Sequence, residues 1–444
     1  MCRSVPFNAR PGRLPASATW VFFFYNVSMS YVGLLDCNNF FVSCERLFRP
    51  DLAKKPVVVL SSNDGCVVAR SQEVKDLGIP MGVPHFKVRD EFKQHGVEVF
   101  SSNFQLYRDV SRRVMEVLEE EVGEIAQYSV DESFFNIYEN RDGVVPLLRN
   151  AKAAIEAKVG VPVSLGAGKT MTIAKYASEK EKKGSGVCFL EGESWQRETE
   201  YIPVAAIWGI GGQTSRKLNE LGIKTVEDLL QADRARMEKI FGIHGLRLQS
   251  ELSEVPSRRE HSEDEMQHSI MSTRSFAEST EKLSVVEDAL SYHAAHATKE
   301  LREMNGVASV VRIIMRPSRH GDWALRGGSA EVVLIEPTSD TRVILHEVLT
   351  LAKEIFEPGV PYKKAGVILS NIRDERYRQE NLFSTEKQKP DNTLMKVMDT
   401  LNQKLGKDKI TIGRVSSSLA WQSSRAHSSP RYTTSWNEIK TVRT

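Results

Sequence analysis

Cysteine is scarce in this 444-residue sequence. The five cysteines are irregularly spaced and form no C-x-x-C pair, which argues against a disulfide framework and against a zinc site. An odd number of cysteines without such a pattern is typical of a reducing compartment. We therefore expect a cytoplasmic protein.

Long apolar runs are also lacking. The longest run, near Trp20 to Val27, is far shorter than the ~20 residues that a membrane helix needs, so no membrane partner is expected. Three arginines precede this run as in a signal peptide, but no small-residue cleavage site follows it. Residues 1–28 are therefore interpreted as an unexplained extension before the fold, which begins near Met29.

No sign of charge dominates the sequence. Lysine and arginine number 60 against 58 acidic residues, a formal net charge of +2. A nucleic-acid-binding protein of this composition would have to arrange its basic residues locally. The length predicts roughly two to four domains.

Strands and helices alternate in the first half of the chain. The segment YVGLLD predicts a buried strand ending at Asp36, and a small unit over 41–101 follows it. Without that unit, the order from residue 31 to about 167 is β-α-β-β-α-β, which predicts a ferredoxin-like split βαβ fold. This topology brings Asp36 beside the hairpin that carries Asp131 and Glu132.

The three acids Asp36, Asp131 and Glu132 are a candidate metal site. Each lies at a strand end within apolar sequence, where an unpaired carboxylate is costly. Phosphoryl transfer from a nucleoside triphosphate uses two divalent cations about 3.5–4 Å apart, and Mg²⁺ prefers carboxylate oxygens. The backbone carbonyl of Cys37 is a further candidate ligand. The alternative is that these acids are turn residues or helix caps.

Two segments, LLDCNNFFVSCERLFRPDLAKKPVVVLSSNDGCVVARS and YSVDESF, closely resemble the Y-family DNA polymerases, in particular the UmuC-type catalytic subunit. The resemblance runs from about Tyr31 to SPRYTT at 429–434. It implies an error-prone translesion DNA polymerase of the bacterial SOS response, associated with the nucleoid. Its substrates would be primer-template DNA and deoxynucleoside triphosphates, with Asp36, Asp131 and Glu132 holding two Mg²⁺ ions.

The resemblance also implies an α+β multidomain architecture. A ferredoxin-like catalytic palm would carry inserted fingers, followed by a helical thumb, an α/β little finger and a polar tail. The boundaries are 29–40 and 102–190 for the palm, 41–101 for the fingers, 191–253 for the thumb, 254–270 for a linker, 271–373 for the little finger and 374–444 for the tail.

Four residues near the acids receive substrate roles from the resemblance. Phe41, five positions after Asp36, matches the steric gate that excludes the 2′-hydroxyl of a ribonucleotide. Lys75 and Lys182 match positions that bind the triphosphate, and Arg70 is a third candidate. Gln72 stands where the family often has Tyr, which leaves its role open. Read without the family, Phe41 is an ordinary core aromatic and the lysines are surface residues.

Two segments predict contacts with the DNA backbone. IWGIGGQTSRKLNELGIKTVEDLL, at 207–230, matches a helix-hairpin-helix, whose glycines Gly209 and Gly211 let backbone N–H groups approach a phosphate. In the predicted strand after residue 308, alternation places Arg312 and Arg316 on one face, which favours phosphate contact over a plain solvated face.

The polar tail carries two predicted interaction features. QENLF, through Gln379, Leu382 and Phe383, resembles the short peptide that docks on the bacterial sliding clamp. The tail from 373 onward has more basic than acidic residues. By resemblance, a UmuD′-like dimer and RecA are further partners.

Two other functions compete with the polymerase. SLGAGKT, at 164–170, looks like a Walker A loop, but Val163 stands where the first glycine of that motif belongs. The chain is alternatively a non-catalytic DNA-binding scaffold that recruits repair factors. The complete acid triad and the aromatic gate favour the polymerase.

Overall fold

The computed structural model describes residues 30–257, 266–318, 327–377, 393–405, 409–412, 421 and 425–438. Within these residues, none of the helices combines the length and apolarity needed to cross a membrane. Palm and fingers together contain β1 Tyr31–Cys37, α1 Phe40–Phe48, β2 Val57–Leu60, β3 Val67–Arg70, α2 Gln72–Asp76, α3 His85–Gln94, β4 Glu98–Ser101, α4 Phe104–Val122, β5 Ile125–Gln127, β6 Glu132–Ile137, α5 Arg141–Lys158, β7 Val163–Gly168, α6 Met171–Lys180 and β8 Val187–Phe189.

The palm is a five-stranded sheet in the order β5-β6-β1-β7-β8. Its first four strands have the ferredoxin-like order, as predicted, and β8 adds a parallel edge strand beside β7. Alternate residues of β1 face opposite sides of the sheet. Leu35 packs into the core beneath α4 and α5, whereas Leu34 packs with Ala174 of α6. Asp36 lies two residues after Leu34, so its side chain is on the same face of the sheet, toward α6.

The hairpin that carries the acids has a four-residue connection, 128–131, between β5 and β6. The strand β5 ends at Gln127 because the N–H groups of Tyr128 and Ser129 both donate to the carbonyl of Glu132, at 3.0 and 3.1 Å. The helix α5 begins at Arg141 because the Asn140 side chain accepts a hydrogen bond from the Gly143 N–H and caps the helix.

The fingers form a three-stranded sheet in the order β3-β2-β4, with α2 and α3 beside it. Alternation along β2 divides its side chains between two cores. Val58 and Leu60 pack in the fingers core with Phe92, whereas Val57 and Val59 pack in the palm core. The helix α1 also packs in the palm core, through Phe40, Val42 and Cys44. The fingers are therefore attached to the palm by shared buried side chains.

The thumb consists of short helices around Trp195, whose indole N–H donates to the Leu252 carbonyl at 2.8 Å. The first helix of the predicted helix-hairpin-helix is one 3₁₀ turn, Val204–Ala206, which follows Pro203. The helices are α7 Gly192–Thr199, α8 Gly212–Glu220, α9 Val226–Gln231, α10 Arg234–Phe241 and α11 Ile243–Leu252.

The little finger is a second β-α-β-β-α-β unit, with an antiparallel sheet in the order β11-β10-β12-β9. Its helices α12 and α13 contribute to the same buried cluster as the inward side chains of the sheet. The elements are β9 Ser269–Thr280, α12 Leu283–Glu303, β10 Gly306–Pro317, β11 Gly328–Thr338, α13 Thr341–Ile355 and β12 Tyr362–Asp374.

The C-terminal region contacts two domains. A helix, α14 Thr393–Leu405, rests on the little finger through a bidentate ion pair between Asp399 and Arg302 of α12, at 2.7 and 2.8 Å. Trp421 joins the little-finger core. Residues 425–438 then lie against the palm and fingers, where Ser428 forms a parallel bridge with Ser101. The sequence reading had not foreseen this packing of the tail.

Candidate active site

The structure brings the three predicted acids together through strand register. Asp36 lies directly opposite Glu132 in the antiparallel pairing of β1 with β6. The next backbone N–H, of Cys37, donates to the Asp131 carbonyl at 2.9 Å. Paired Cα atoms in such a ladder are about 4.5–5.5 Å apart. Residues almost a hundred positions apart in sequence are thus neighbours at one sheet end.

Each acid has its own hydrogen-bond partner. Lys182 Nζ lies 3.0 Å from Asp36 Oδ2, and Lys175 Nζ lies 2.5 Å from Glu132 Oε2. Asp131 Oδ1 accepts from the Ser129 hydroxyl at 2.6 Å. The described part of the chain has no ready-made group of three metal-binding side chains. Lys182, Lys175 and Ser129 thus each pair with a different one of the three acids.

Burial makes the Asp36 carboxylate unstable as a lone charge. Asp36 is 8% exposed. Its pKa is raised to about 7, chiefly by burial and further by the neighbouring Glu132, although Lys182 opposes the rise. A divalent cation would favour the ionised form of both carboxylates. The residues therefore fit a metal site whose assembly depends on the metal.

The Cys37 thiol has no part in such a site. The side chain packs in the palm core and is 2% exposed. Burial raises the thiol pKa well above its ordinary value, so the thiol stays protonated and is a poor ligand. The backbone carbonyl of Cys37 stays a predicted ligand.

Phe41 lies in the first turn of α1 and is partly exposed. Its ring stacks on Tyr107 of α4, with centroids 4.4 Å apart and planes 14° apart. Phe104 contacts it edge-on at 6.1 Å. The turn before α1 places Asn39 in the left-handed region, with φ 49°, a conformation that asparagine tolerates better than most residues.

The predicted triphosphate-binding cations lie near Asp36, because Lys182 pairs with Asp36 and both Lys182 and Arg70 influence Lys75. The pKa of Lys75 lies below its ordinary value because burial, and then the positive charges of Lys182 and Arg70, disfavour its protonated form. Lys182 of the palm and Arg70 of the fingers are therefore close enough to Lys75 to disfavour its positive charge. Gln72 donates to Asp76 Oδ1 at 2.6 Å, which ties its side chain to α2.

The sequence reading missed Lys175. Its ammonium binds Glu132 and lies 5.3 Å from the ring centroids of both Tyr128 and Trp208. No short-range signal marked it, because Lys175 lies within α6 and its partner Glu132 lies in β6, far away in the sequence. Cation–π contacts of this kind hold an ammonium at a fixed place.

The segment resembling a Walker A loop is a strand and not a loop. Residues from Ser164 to Gly168 belong to β7 and are fully buried or nearly so, and α6 begins at Met171. A phosphate-binding loop between strand and helix has no room there. The Thr170 hydroxyl instead caps α6 and donates to the Glu251 carbonyl at 2.9 Å.

The predicted DNA-contacting residues lie on exposed elements. Gly209 has φ +92°, a conformation that favours glycine, and Gly211 is the N-cap of α8 with no side-chain cap. Arg312 and Arg316 are exposed on the same face of β10, while their neighbours in sequence are buried. Arg312 also pairs with Glu331 on β11. The predicted clamp peptide, with Gln379, Leu382 and Phe383, lies outside the described residues.

Three protein-family models match segments that together cover most of the chain. The model described as the impB/mucB/samB family matches residues 35–179. The C-terminal domain model of the same family matches 267–382. A third model, described as a domain of unknown function, matches 392–442.

Several curated proteins are similar over nearly the whole chain. Protein UmuC of Salmonella typhimurium is 36% identical over 423 residues, which span 93% of this chain and 100% of that protein. Protein ImpB of Salmonella typhimurium is 33% identical over 424 residues, spanning 93% and 99%. DNA polymerase IV of Corynebacterium diphtheriae is 27% identical over 354 residues, spanning 79% and 76%.

Solved structures share the fold. A Y-family DNA polymerase chimera superposes with a TM-score of 0.65 at 22% identity, covering 77% of this chain and 99% of its own. The insertion ternary complex of Dbh DNA polymerase gives a TM-score of 0.52 at the same identity and coverage. From the family models and the identity to UmuC, the chain belongs to the impB/mucB/samB family, the UmuC type of Y-family DNA polymerase.

Proposed function

We propose that this chain is a DNA-directed DNA polymerase of translesion synthesis, which adds deoxynucleotides to a primer 3′ end opposite damaged template bases. The observation that supports this proposal most strongly is that buried Asp36 lies opposite Glu132 in a chain 36% identical to a UmuC protein. A non-catalytic scaffold would have no need to pair two carboxylates at a cost in charge repulsion. The SOS response is the setting that family membership suggests.

Asp36, Asp131 and Glu132 would hold two Mg²⁺ ions, with the Cys37 carbonyl as a further ligand. Bound ions of this kind activate the attacking hydroxyl and neutralise developing charge on the phosphates. The chain itself supplies buried Asp36 opposite partly buried Glu132, and a third acid, Asp131, that accepts a hydrogen bond from the Ser129 hydroxyl. Such a set of hard oxygen donors suits Mg²⁺.

Lys182, Lys75 and Arg70 would bind the triphosphate of the incoming nucleotide. Burial, and then the positive charges of Lys182 and Arg70, lower the pKa of Lys75, which supports a binding site for a polyanion at these cations. Lys182 Nζ pairs with Asp36 Oδ2 at 3.0 Å, so this cation lies beside the proposed metal ligands.

Phe41 would select the sugar. An aromatic ring against C2′ leaves no space for a ribose hydroxyl, and the stack on Tyr107 restricts where that ring can go. Selection by exclusion needs a rigid wall, because a ring that swings aside admits the larger sugar.

Duplex DNA would lie against the thumb and little finger. Backbone N–H groups after Gly209 and Gly211 would bind a phosphate, and Arg312 and Arg316 would follow the backbone. Contacts of this kind carry no sequence information, as suits an enzyme that copies any template.

The tail would bind other proteins. Gln379, Leu382 and Phe383 are proposed to dock on the sliding clamp. A UmuD′-like dimer and RecA are proposed as further partners, and the nucleoid as the place of action, on the strength of the family alone.

Primer extension tests the proposed activity. The parent protein and Glu132→Gln would be compared on undamaged and lesion-bearing templates with Mg²⁺. We expect extension to fall at least 100-fold in Glu132→Gln, since a lost charged contact in a transition state costs about 3 kcal/mol or more. Glu124→Gln, at an exposed acid before β5, is the matched control. Equal extension by the parent and Glu132→Gln would overturn the polymerase assignment at this site.

A further inference from the structure

The C-terminal strap, residues 425–438, lies along the junction of palm and fingers. The Ser101 N–H donates to the His427 carbonyl at 2.9 Å, and the His427 N–H donates back to the Ser101 hydroxyl at 3.0 Å. The Ala426 N–H donates to Asp64 Oδ2 at 2.8 Å. The strap thus extends the edge of β4 by backbone pairing, and it belongs to the segment matched by the domain of unknown function.

Tyr432 anchors the strap on α1. Its ring stacks on Phe48, with centroids 4.6 Å apart and planes 4° apart, and it is 7% exposed. It belongs to the same buried cluster as the palm residues. A buried aromatic side chain of this size removes roughly 150–250 Å² from water, which makes the contact more than a loose surface association.

Ser429 reaches a buried carboxyl group on the same helix. Its hydroxyl donates to Glu45 Oε1 at 3.1 Å, across 384 positions of sequence. The Tyr107 hydroxyl donates to the same oxygen at 2.7 Å. Glu45 is 0% exposed and Tyr107 is 1% exposed, so solvent does not substitute for either bond.

Tyr107 connects this buried network to the sugar-contacting ring. The stack of Tyr107 on Phe41 is close and almost parallel, at 4.4 Å and 14°. Glu45 and Phe41 lie one turn apart on α1, so the strap touches the helix that carries the ring and also the tyrosine behind it. A continuous chain of contacts runs from Ser429 through Glu45 and Tyr107 to Phe41.

We propose that the C-terminal strap positions the steric gate of the polymerase. Ser429 and Tyr432 fix α1 and Glu45, Glu45 fixes the Tyr107 hydroxyl, and the Tyr107 ring fixes the plane of Phe41. Sugar selection therefore depends on a segment at the far end of the chain. Ser429, Glu45 and Tyr107 are positioning residues, and the inference rests on the proposed role of Phe41 as the gate.

Single-nucleotide insertion kinetics test this inference in the full chain. Ser429→Ala and Tyr107→Phe each remove one hydroxyl and keep the surrounding shape. We expect each to raise the ribonucleotide-to-deoxyribonucleotide ratio of kcat/KM by about 3- to 10-fold, the effect of one net hydrogen bond. The rise should come from a lower KM for the ribonucleotide, with deoxynucleotide insertion within about twofold of the parent.

Two controls separate the possible outcomes. Ser428→Ala removes an exposed hydroxyl that donates within the strap, to the Arg425 carbonyl at 3.3 Å, and it should leave the ratio unchanged. Phe41→Ala should raise the ratio more than either strap variant does. If Phe41→Ala raises it while Ser429→Ala and Tyr107→Phe match Ser428→Ala, the gate stands and the strap's positioning role is wrong.

An unchanged ratio in Phe41→Ala would instead overturn the gate itself. Thermal melting of every variant completes the test. A strap that merely stabilises the fold would lower the Tm of Ser429→Ala without moving the sugar ratio, and that result would also overturn the proposal.

Discussion

At the scale of single residues, the site combines carboxylates whose charges are each balanced by a neighbouring lysine. Asp36 is buried, lies opposite another carboxylate, and is held by Lys182. Lys175 plays the same part for Glu132. These lysines compensate the charges of the two carboxylates.

The raised pKa of Asp36 predicts how stability depends on pH. The folded state holds the Asp36 proton up to about pH 7, whereas the unfolded chain releases it near its ordinary value of 3.8. The stabilisation is therefore complete below about pH 4 and is lost as the pH rises through 7, with about 4 kcal/mol as the upper bound. Without metal, Asp36→Asn should flatten this decline in urea unfolding between pH 4 and 8.

Magnesium should restore the stability that ionised Asp36 removes. Because Mg²⁺ binds the ionised carboxylates, the rise in Tm on adding Mg²⁺ should be larger at pH 8 than at pH 5.5. Asp36→Asn should lose most of that rise, and Asp142→Asn, at an exposed acid of α5, should keep it. An equal Mg²⁺ effect in Asp36→Asn and the parent would contradict metal binding at Asp36.

At the scale of elements, the position of α6 depends on one glycine of β7. A Cβ on Gly166 would lie 2.2 Å from both the Ala174 carbonyl oxygen and the Ser178 nitrogen, which are backbone atoms of α6. The helix can therefore lie directly on the sheet only because residue 166 has no side chain. This close packing sets where Lys175 and, beyond the helix, Lys182 meet the carboxylates.

Gly166→Ala should displace α6 and weaken the site. We expect a loss of about 1–3 kcal/mol in the free energy of unfolding, as for other overpacked cores, together with a higher KM for the incoming nucleotide. Urea unfolding and insertion kinetics measure the two effects. Gly328→Ala is the control, because nothing in the described structure lies within 4 Å of its Cβ position. A Gly166→Ala protein as stable and active as Gly328→Ala would refute this account.

At the scale of the whole molecule, the chain has two β-α-β-β-α-β units with different tasks. The palm directs acids to one end of its sheet, whereas the little finger covers one sheet face with helices and leaves Arg312 and Arg316 exposed on the other. A net charge of only +2 means that DNA binding depends on such local arrangements.

Salt dependence tests the exposed face of the little finger. Arg316→Ala should weaken binding to primer-template DNA of any sequence and reduce the slope of log K against log salt by about 1, as for one lost phosphate contact. Lys353→Ala removes an exposed cation from α13, on the opposite side of the sheet, and should leave the slope unchanged. Equal slopes in Arg316→Ala and the parent would place the DNA elsewhere.

The sequence by itself determined the identity of the acids and the order of strands and helices. Apolar strands ending in Asp36 and in the Asp131–Glu132 pair are local patterns, and β-α-β-β-α-β order restricts which strands can be neighbours. The aromatic gate candidate followed from the resemblance to the Y-family, in which the residue five positions after the first acid is the gate. These features could be predicted because each depends on a short stretch of chain and on a topology with few alternatives.

Only the tertiary structure decided which distant side chains contact the predicted acids and the buried network behind Phe41. Lys175 finds Glu132 because α6 packs on β7, and Ser429 finds Glu45 because the strap returns across 384 positions. No short-range pattern marks either pair, since contacts between distant segments are set by how whole domains pack. The tail reads as polar, yet Trp421 and Tyr432 are buried, because a few anchoring aromatics suffice to bind a polar segment to a folded surface.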